Sequence, residues 1–294
     1  MTLKTLKDLI KTMKRNLIIR TLTGIVFLAV MIGGITYSPL TMGLLFVVIT
    51  TLAVHEFCTI VNERPDVDVN PMICSVAGAY LFLAFFGYLS GWIPTAAVFI
   101  PYLISIVYLL ISELYLQRES PLNNWAYTML SQMYVALPFS LLPVLGFMTD
   151  PAHPLNQPGY RFMVPLAVFI FLWTSDTGAY CFGSLFGKHR LFERVSPKKS
   201  WEGSIGGALV SLLAACAVAH FDSTLSFPQW LGFALVVVVF GTWGDLVESL
   251  LKRQLGIKDS GNILPGHGGM LDRFDSSLLA IPAVTVYLYT LTLA

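Results

Sequence analysis

Runs of apolar residues long enough to cross a bilayer recur along nearly the whole chain, and they limit its possible folds more than any other feature. A first run ends at about Tyr37, and others occupy about 39–61, 72–90, 94–112, 122–148, 161–182, 203–221, 228–250 and 276–293. Each is close to the roughly 20 residues a helix needs to traverse the hydrocarbon core. Inside that core every backbone N–H and C=O must be satisfied within the protein, which allows only helices or a closed barrel; long continuous apolar runs favour helices. With 55% hydrophobic residues and a mean hydropathy of +0.71 over 294 residues, the chain is too apolar for a water-soluble domain. The expected fold is all-α: a polytopic integral membrane protein of about nine transmembrane helices, with Pro138 and Pro143 kinking the fifth.

Lys4, Lys7, Lys11, Lys14 and Arg15 precede the first run against the single acid Asp8. The run is long enough to span, so it reads as a retained helix with a cytoplasmic N-terminus rather than a cleaved signal. Segments after even-numbered spans then share the cytoplasmic side. The segment after the sixth span carries Lys188, Arg190, Arg194, Lys198 and Lys199, whereas the connections near 90, 150–160 and 222–229 have almost no lysine or arginine. That asymmetry obeys the positive-inside rule. The loop from Asn62 to Pro71 sets Arg64 against Glu63, Asp66 and Asp68 and says nothing about orientation.

The short chain without a targeting segment favours a bacterial inner (plasma) membrane. The net charge of +1 says nothing of partners; the lipid bilayer is one, no nucleic acid is expected, and a homodimer is left open. Cys58, Cys74, Cys181 and Cys216 lie in or beside apolar runs at no metal-ligand spacing and read as packing residues. Neither an internal repeat nor a low-complexity segment is apparent. We expect one integral domain with two regions, a scaffold of about five spans at 1–160 and a catalytic region of about four spans at 161–294. In the first only His55, Glu56 and Glu113 stand out, and a helix-paired or interfacial role suits each at least as well as a functional one.

Charge is concentrated in residues 244–275, GDLVESLLKRQLGIKDSGNILPGHGGMLDRFD, where nine residues are charged although the whole chain is only 12% charged. Asp245, Glu248, Ser249 and Lys252 recur at spacings of three and four and share one helix face. Gly256 and Gly261 break the helix, Pro265 and Gly266 turn the chain, and Gly268 and Gly269 permit close backbone approach to a ligand. Asp272, Arg273 and Asp275 follow directly. Carboxylates gathered with lysines and arginines suit a divalent cation and a polyphosphate, the acids holding the metal and the cations neutralising phosphate oxygens. A juxtamembrane cluster at the lipid headgroups would account for the basic residues, but not for five acids and the glycines.

A second constellation covers residues 173–207, WTSDTGAYCFGSLFGKHRLFERVSPKKSWEGSIGG. Asp176 sits between apolar runs, where an unpartnered ionised acid costs about 2.5–3.5 kcal/mol at mid-membrane. That cost favours a polar cavity; a packing acid bonded to Ser175 or Thr177 is the plainer alternative. Ser196-Pro197-Lys198-Lys199-Ser200 sets two ammonium groups after a fixed bend, just before a helix start that suits an anion. Gly203 and Gly207 have the spacing of close helix packing, and that role is preferred for them.

From Ser249 through Lys252-Arg253, Lys258-Asp259, Leu264-Pro265, His267-Gly268-Gly269 and Asp272-Arg273 to Asp275, the chain resembles the signature of the phosphatidate cytidylyltransferases, also called CDP-diacylglycerol synthases. The SDTGAY run around Asp176 and the SPKKS-EG run are similar to further motifs of that family. Ser200 stands where threonine is usual, and Ser184 where arginine or lysine is common, which removes one phosphate contact. The resemblance implies transfer of a cytidylyl group from CTP to phosphatidate, giving CDP-diacylglycerol and pyrophosphate, at a site facing the cytoplasm.

The roles expected on this reading combine both constellations. Asp245 and Asp272 are Mg²⁺ ligands, with Asp176 and Asp275 as further candidates and a second monovalent or divalent cation left open. Lys252 and Arg253, with Lys198 and Lys199, contact phosphate; Lys258 does so more weakly. Ser200, Ser249 and Arg273 line the substrate site with Asp176, and His267, Gly268 and Gly269 stand near the leaving pyrophosphate, although a turn-stabilising role suits His267 nearly as well. Two other classes stay open here. A CTP-dependent lipid kinase would release CDP, and a transporter would scatter its acids through several spans at mid-depth.

Overall fold

A computed structural model of the chain describes residues 21–147, 159–261, 263 and 268–293. Its elements follow the apolar runs closely. Helix α1 (Thr21–Tyr37) is separated by one residue from α2 (Pro39–Val61). That residue, Ser38, caps α2: its hydroxyl accepts from the Thr41 N–H at 3.1 Å while Thr41 Oγ1 accepts from the Ser38 N–H at 3.0 Å. Pro39 fits the first turn because no helical N–H is lost there. The same start recurs at α3 (Pro71–Leu89), capped by Asn70. A single 3-10 turn, Ala96–Phe99, leads into α4 (Ile100–Leu116).

The fifth span, Pro121–Gly146, is broken. It comprises α5 (Pro121–Leu130), a π-helical segment Ser131–Ala136, and the short helices α6 (Leu137–Ser140) and α7 (Leu142–Gly146). Pro138 and Pro143 open the last two pieces, so the expected kinks are there, with a widened turn ahead of them. Then come α8 (Met163–Phe186), strands β1 (Arg190–Phe192) and β2 (Ser196–Ser200), α9 (Trp201–Phe221), α10 (Phe227–Gln254), the one-turn helix α11 (Leu271–Phe274) and α12 (Ser277–Leu293). Eight helical segments among the described residues are long and apolar enough to cross a membrane, and α1 is a shorter apolar helix beside them. The chain is a polytopic, almost wholly helical integral membrane protein, as expected. The one departure is the antiparallel hairpin β1–β2 after the sixth span, where Arg190 lies opposite Ser200.

Between helices in lipid the driving force is close packing and internal polar pairing rather than exclusion of water. Helices α8 and α9 illustrate it. A Cβ on Gly178 would lie 2.9 Å from Gly207 Cα, and one on Gly203 would lie 2.9 Å from the Ala179 carbonyl oxygen. The two backbones therefore touch, and Gly203 and Gly207 have the packing role expected of them.

An aromatic cluster forms the other junction. Phe274 of α11 meets Phe27 of α1 at 6.0 Å, Phe139 of α6 at 5.4 Å and Phe169 of α8 at 6.1 Å between ring centroids. Tilted and edge-on pairs of this kind contribute about 0.5–1.5 kcal/mol each beyond the area they bury. They seat α11, and with it Asp272, Arg273 and Asp275, in the middle of the helix assembly. The outer face of α4, with Leu103, Ile104, Val107 and Leu114 exposed, is left for lipid tails.

Candidate active site

Two adjoining cavities carry the charged residues. One, about 350 Å³, lies between α8, β2, α9 and α10 and is lined by Asp176, Ser184, Lys198, Lys199, Ser200, Ser204 and Thr242. The other, about 520 Å³, is lined by Asp176, Thr177, Asp245, Asp272, Arg273 and Asp275, and on its far side by Thr23, Gly24, Phe27 and Leu28 of α1. Asp176 and Ser276 border both. The two distant constellations of the sequence thus meet across a shared wall. Helix α1 was not expected to line the site, since residues 1–160 read as scaffold.

The helical spacing of α10 does what the sequence suggested. Asp245 forms an ion pair with Lys199 of β2, and Ser249, one turn on, donates to Asp245 Oδ1 at 3.2 Å. Another turn on, Lys252 pairs with Glu248 on its own helix and donates to Asp272 Oδ1 at 2.8 Å. Glu248 is fully buried, and Lys252, set between it and Asp272, is the cation that faces it. The second oxygen of Asp272 accepts from the backbone N–H groups of Ser260 and Gly269, both at 2.9 Å. Asp275 accepts from the Ser276 N–H at 2.5 Å. Among the described residues no hydrogen bond or ion pair falls on Asp176, whose side chain faces both cavities.

Several expected contributors stand elsewhere. Arg253 and Lys258 are exposed and line neither cavity, and the Arg253 guanidinium reaches the Ile257 carbonyl at 3.5 Å; Ser249, Lys252 and Gly269 line neither cavity either, Lys252 standing behind Asp272. The Ser200 hydroxyl, besides bordering a cavity, accepts from the Gly203 N–H at 3.1 Å and so caps α9. Gly268 adopts a φ of 82°, which a side chain would strain, and a Cβ there would press on Asp272. His267 lies outside the described residues. Glu202 accepts from the N–H groups of Lys188 at 3.1 Å and His189 at 3.2 Å, and from the His189 ring at 2.6 Å. It thereby ties the segment entering the hairpin to the first turn of α9.

Glu56 of α2 is the principal residue that sequence reasoning left aside. Its buried carboxylate takes the Ser260 hydroxyl and the N–H groups of Met270 at 2.8 Å and Leu271 at 3.2 Å. The high cost of an acid within an apolar run was the available signal, and it is the same one that singled out Asp176. Glu113, by contrast, lines neither cavity and is satisfied by Arg118 and Asn124, each at 2.8 Å.

The donor set suits a hard divalent cation, because four carboxylates border one cavity and such ions take oxygen ligands. No three acidic, histidine or cysteine groups among the described residues are close enough to cage an ion by themselves. Mg²⁺ commonly binds through one or two carboxylates plus substrate phosphates, so this arrangement fits a metal that arrives with a nucleotide.

A sequence profile of the cytidylyltransferase family matches residues 18–291. The chain is 33% identical to the phosphatidate cytidylyltransferase of Staphylococcus aureus (strain COL), over 92% of this chain and 98% of that one. Against the phosphatidate cytidylyltransferase of Staphylococcus haemolyticus it is 32% identical with the same coverage. A shorter match to the Staphylococcus epidermidis protein of that name is 42% identical and covers 55% of this chain and 64% of that one.

Proposed function

The chain belongs to the cytidylyltransferase family, and from that premise we propose that it transfers the cytidylyl group of CTP to phosphatidate, giving CDP-diacylglycerol and pyrophosphate. It is an enzyme of the nucleotidyltransferase class, embedded in the membrane. The observation that carries the substrate assignment is the pair of adjoining cavities, one edged by Lys198 and Lys199 and the other by four carboxylates and Arg273.

A phosphate monoester is already a nucleophile near neutral pH, so neither a covalent intermediate nor a general base is needed. A phosphatidate oxygen attacks the α-phosphorus of CTP, the bond from that phosphorus to the bridging oxygen breaks, and pyrophosphate leaves with the electron pair. The obstacle is repulsion between two polyanions and their alignment for in-line attack. Lys198 and Lys199 face the nucleotide phosphates, and Arg273, on the other cavity, faces the lipid phosphate. Asp245 aims Lys199, and Asp272 aims Lys252. Asp176 and Asp275, with Asp245 and Asp272, would hold Mg²⁺, which when bound neutralises phosphate charge and polarises the phosphorus centre.

The site faces the cytoplasm of a bacterial cell on this reading. The five basic residues from Lys188 to Lys199 support that orientation, and the staphylococcal relatives support a bacterial plasma membrane. Purified protein given CTP, phosphatidate and Mg²⁺ should release pyrophosphate in step with formation of the liponucleotide. Release of CDP with a newly phosphorylated lipid would replace the proposal with a kinase reaction.

A further inference from the structure

We infer that Glu56 is a positioning residue for the transfer, acting through Ser260 on Asp272 and through Asp272 on Lys252. The inference rests on the cytidylyl-transfer reading above. Glu56 belongs to α2, outside the two charged constellations, and lines neither cavity. Its carboxylate is the point on which both ends of the signature loop converge. Ser260 donates its hydroxyl from one end, and Met270 and Leu271 donate their N–H groups at 2.8 and 3.2 Å from the other. Three donors on one carboxylate make a charge-assisted clamp stronger than neutral hydrogen bonds would be.

The clamp leads directly to Asp272 and Lys252. Ser260 Oγ also accepts from the Asp272 N–H at 3.3 Å, while the Ser260 N–H donates to Asp272 Oδ2 at 2.9 Å. Asp272 is therefore fixed from both its backbone and its side chain by the residue that Glu56 holds. Its other oxygen receives Lys252 at 2.8 Å. A second observation agrees. A Cβ at Gly261 would stand 3.0 Å from the Glu56 carboxylate, and one at Gly269 would overlap it. Gly261 and Gly269, one from each end of the segment, thus leave room for this carboxylate.

A glutamine at position 56 keeps the shape but turns one acceptor into an N–H₂ donor that faces the loop's own donors. Removal of such a supporting partner typically costs about 10- to 100-fold in activity or metal affinity. In the full-length protein in lipid vesicles, Glu56→Gln should lower kcat by about that factor and raise the Mg²⁺ concentration for half-maximal rate. At saturating Mg²⁺ the KM for CTP should stay within about twofold of wild type, because Lys198 and Lys199 are untouched. Ser260→Ala, a smaller change, should shift kcat and Mg²⁺ dependence in the same direction, and the double variant should lose less than the product of the two. Glu113→Gln removes the other buried acid among the described residues of the first region and should lower the thermal midpoint without moving the Mg²⁺ dependence. If Glu56→Gln does not fold, Ser260→Ala decides alone. Turnover within twofold of wild type in the folded variants, or an equal loss of turnover in Glu113→Gln, would overturn the inference. A wild-type protein that makes no liponucleotide would instead strike the reading it rests on.

Discussion

Two lysines with the same formal role sit in different electrostatic settings. Lys199 and Asp245 retain about a quarter of their side-chain exposure, 27% and 28%, so solvent screens their pair and its net contribution to stability is small. Lys252 lies between a fully buried Glu248 and an almost buried Asp272. Breaking a buried arrangement by removing one partner costs about 3–5 kcal/mol, because the remaining charges lose their compensation. Asp245→Asn should therefore fold with a nearly unchanged thermal midpoint yet lose at least about 100-fold in turnover, in the range seen when a group that stabilises developing charge is deleted. Lys252→Met should lose both stability and turnover, and adding Glu248→Gln should restore part of the stability but none of the rate; thermal unfolding in detergent with parallel rate assays checks this. Asp176 was legible in the sequence because charge in an apolar setting is costly, Asp245 because it shares a helix face with Glu248, Ser249 and Lys252, and Lys199 because it follows a proline-fixed bend just before a helix start. Glu56 carried the same signal as Asp176, but its partner Ser260 lies 204 residues away, and spacing along the chain does not reveal such a pair. Arg253 shows the opposite case, a motif position whose side chain points to solvent beside the site.

At the scale of elements, the helices were legible because the bilayer fixes their length and the polar connections end them. The π-helical segment Ser131–Ala136, which packs against α2 and α3, was not, since no residue type marks such a turn in a sequence. The hairpin β1–β2 was hidden in a charged segment whose strands are only three and five residues long. It presents Lys198 and Lys199 to the cavity, so Lys198→Ala and Lys199→Ala should each raise the KM for CTP several-fold while membrane insertion is unchanged, as five positive residues share the orienting task. Unchanged kinetics with altered topology would assign these lysines to orientation alone. The α8–α9 contact makes a stability prediction. A methyl at Gly178 meets Gly207 Cα at 2.9 Å and the Gly206 carbonyl oxygen at 3.0 Å, and backbone atoms cannot rotate away. Gly178→Ala should destabilise by about 1–3 kcal/mol, the usual range for overpacking, seen as a lower thermal midpoint.

For the whole molecule, the two substrates impose opposite demands. CTP comes from water and phosphatidate keeps its chains in lipid, so the acids and bases must border polar space that reaches one face of the membrane. Helices α8 to α10 and the α11–α12 segment supply that border, and α1 adds a wall of Phe27 and Leu28 to it. The last contribution was illegible, because an apolar helix reads the same whether it faces lipid or a cavity. The most direct test of this arrangement is single-cysteine labelling at Ser184, Ser204 and Thr177, with Cys58, Cys74, Cys181 and Cys216 replaced. All three positions border the cavities, and none of them is assigned a role in the transfer above. A membrane-impermeant thiol reagent should modify each from the cytoplasmic face only, and CTP with Mg²⁺ should slow modification at Ser184 and Ser204. Modification from the opposite face, or no protection by CTP at either position, would contradict the account.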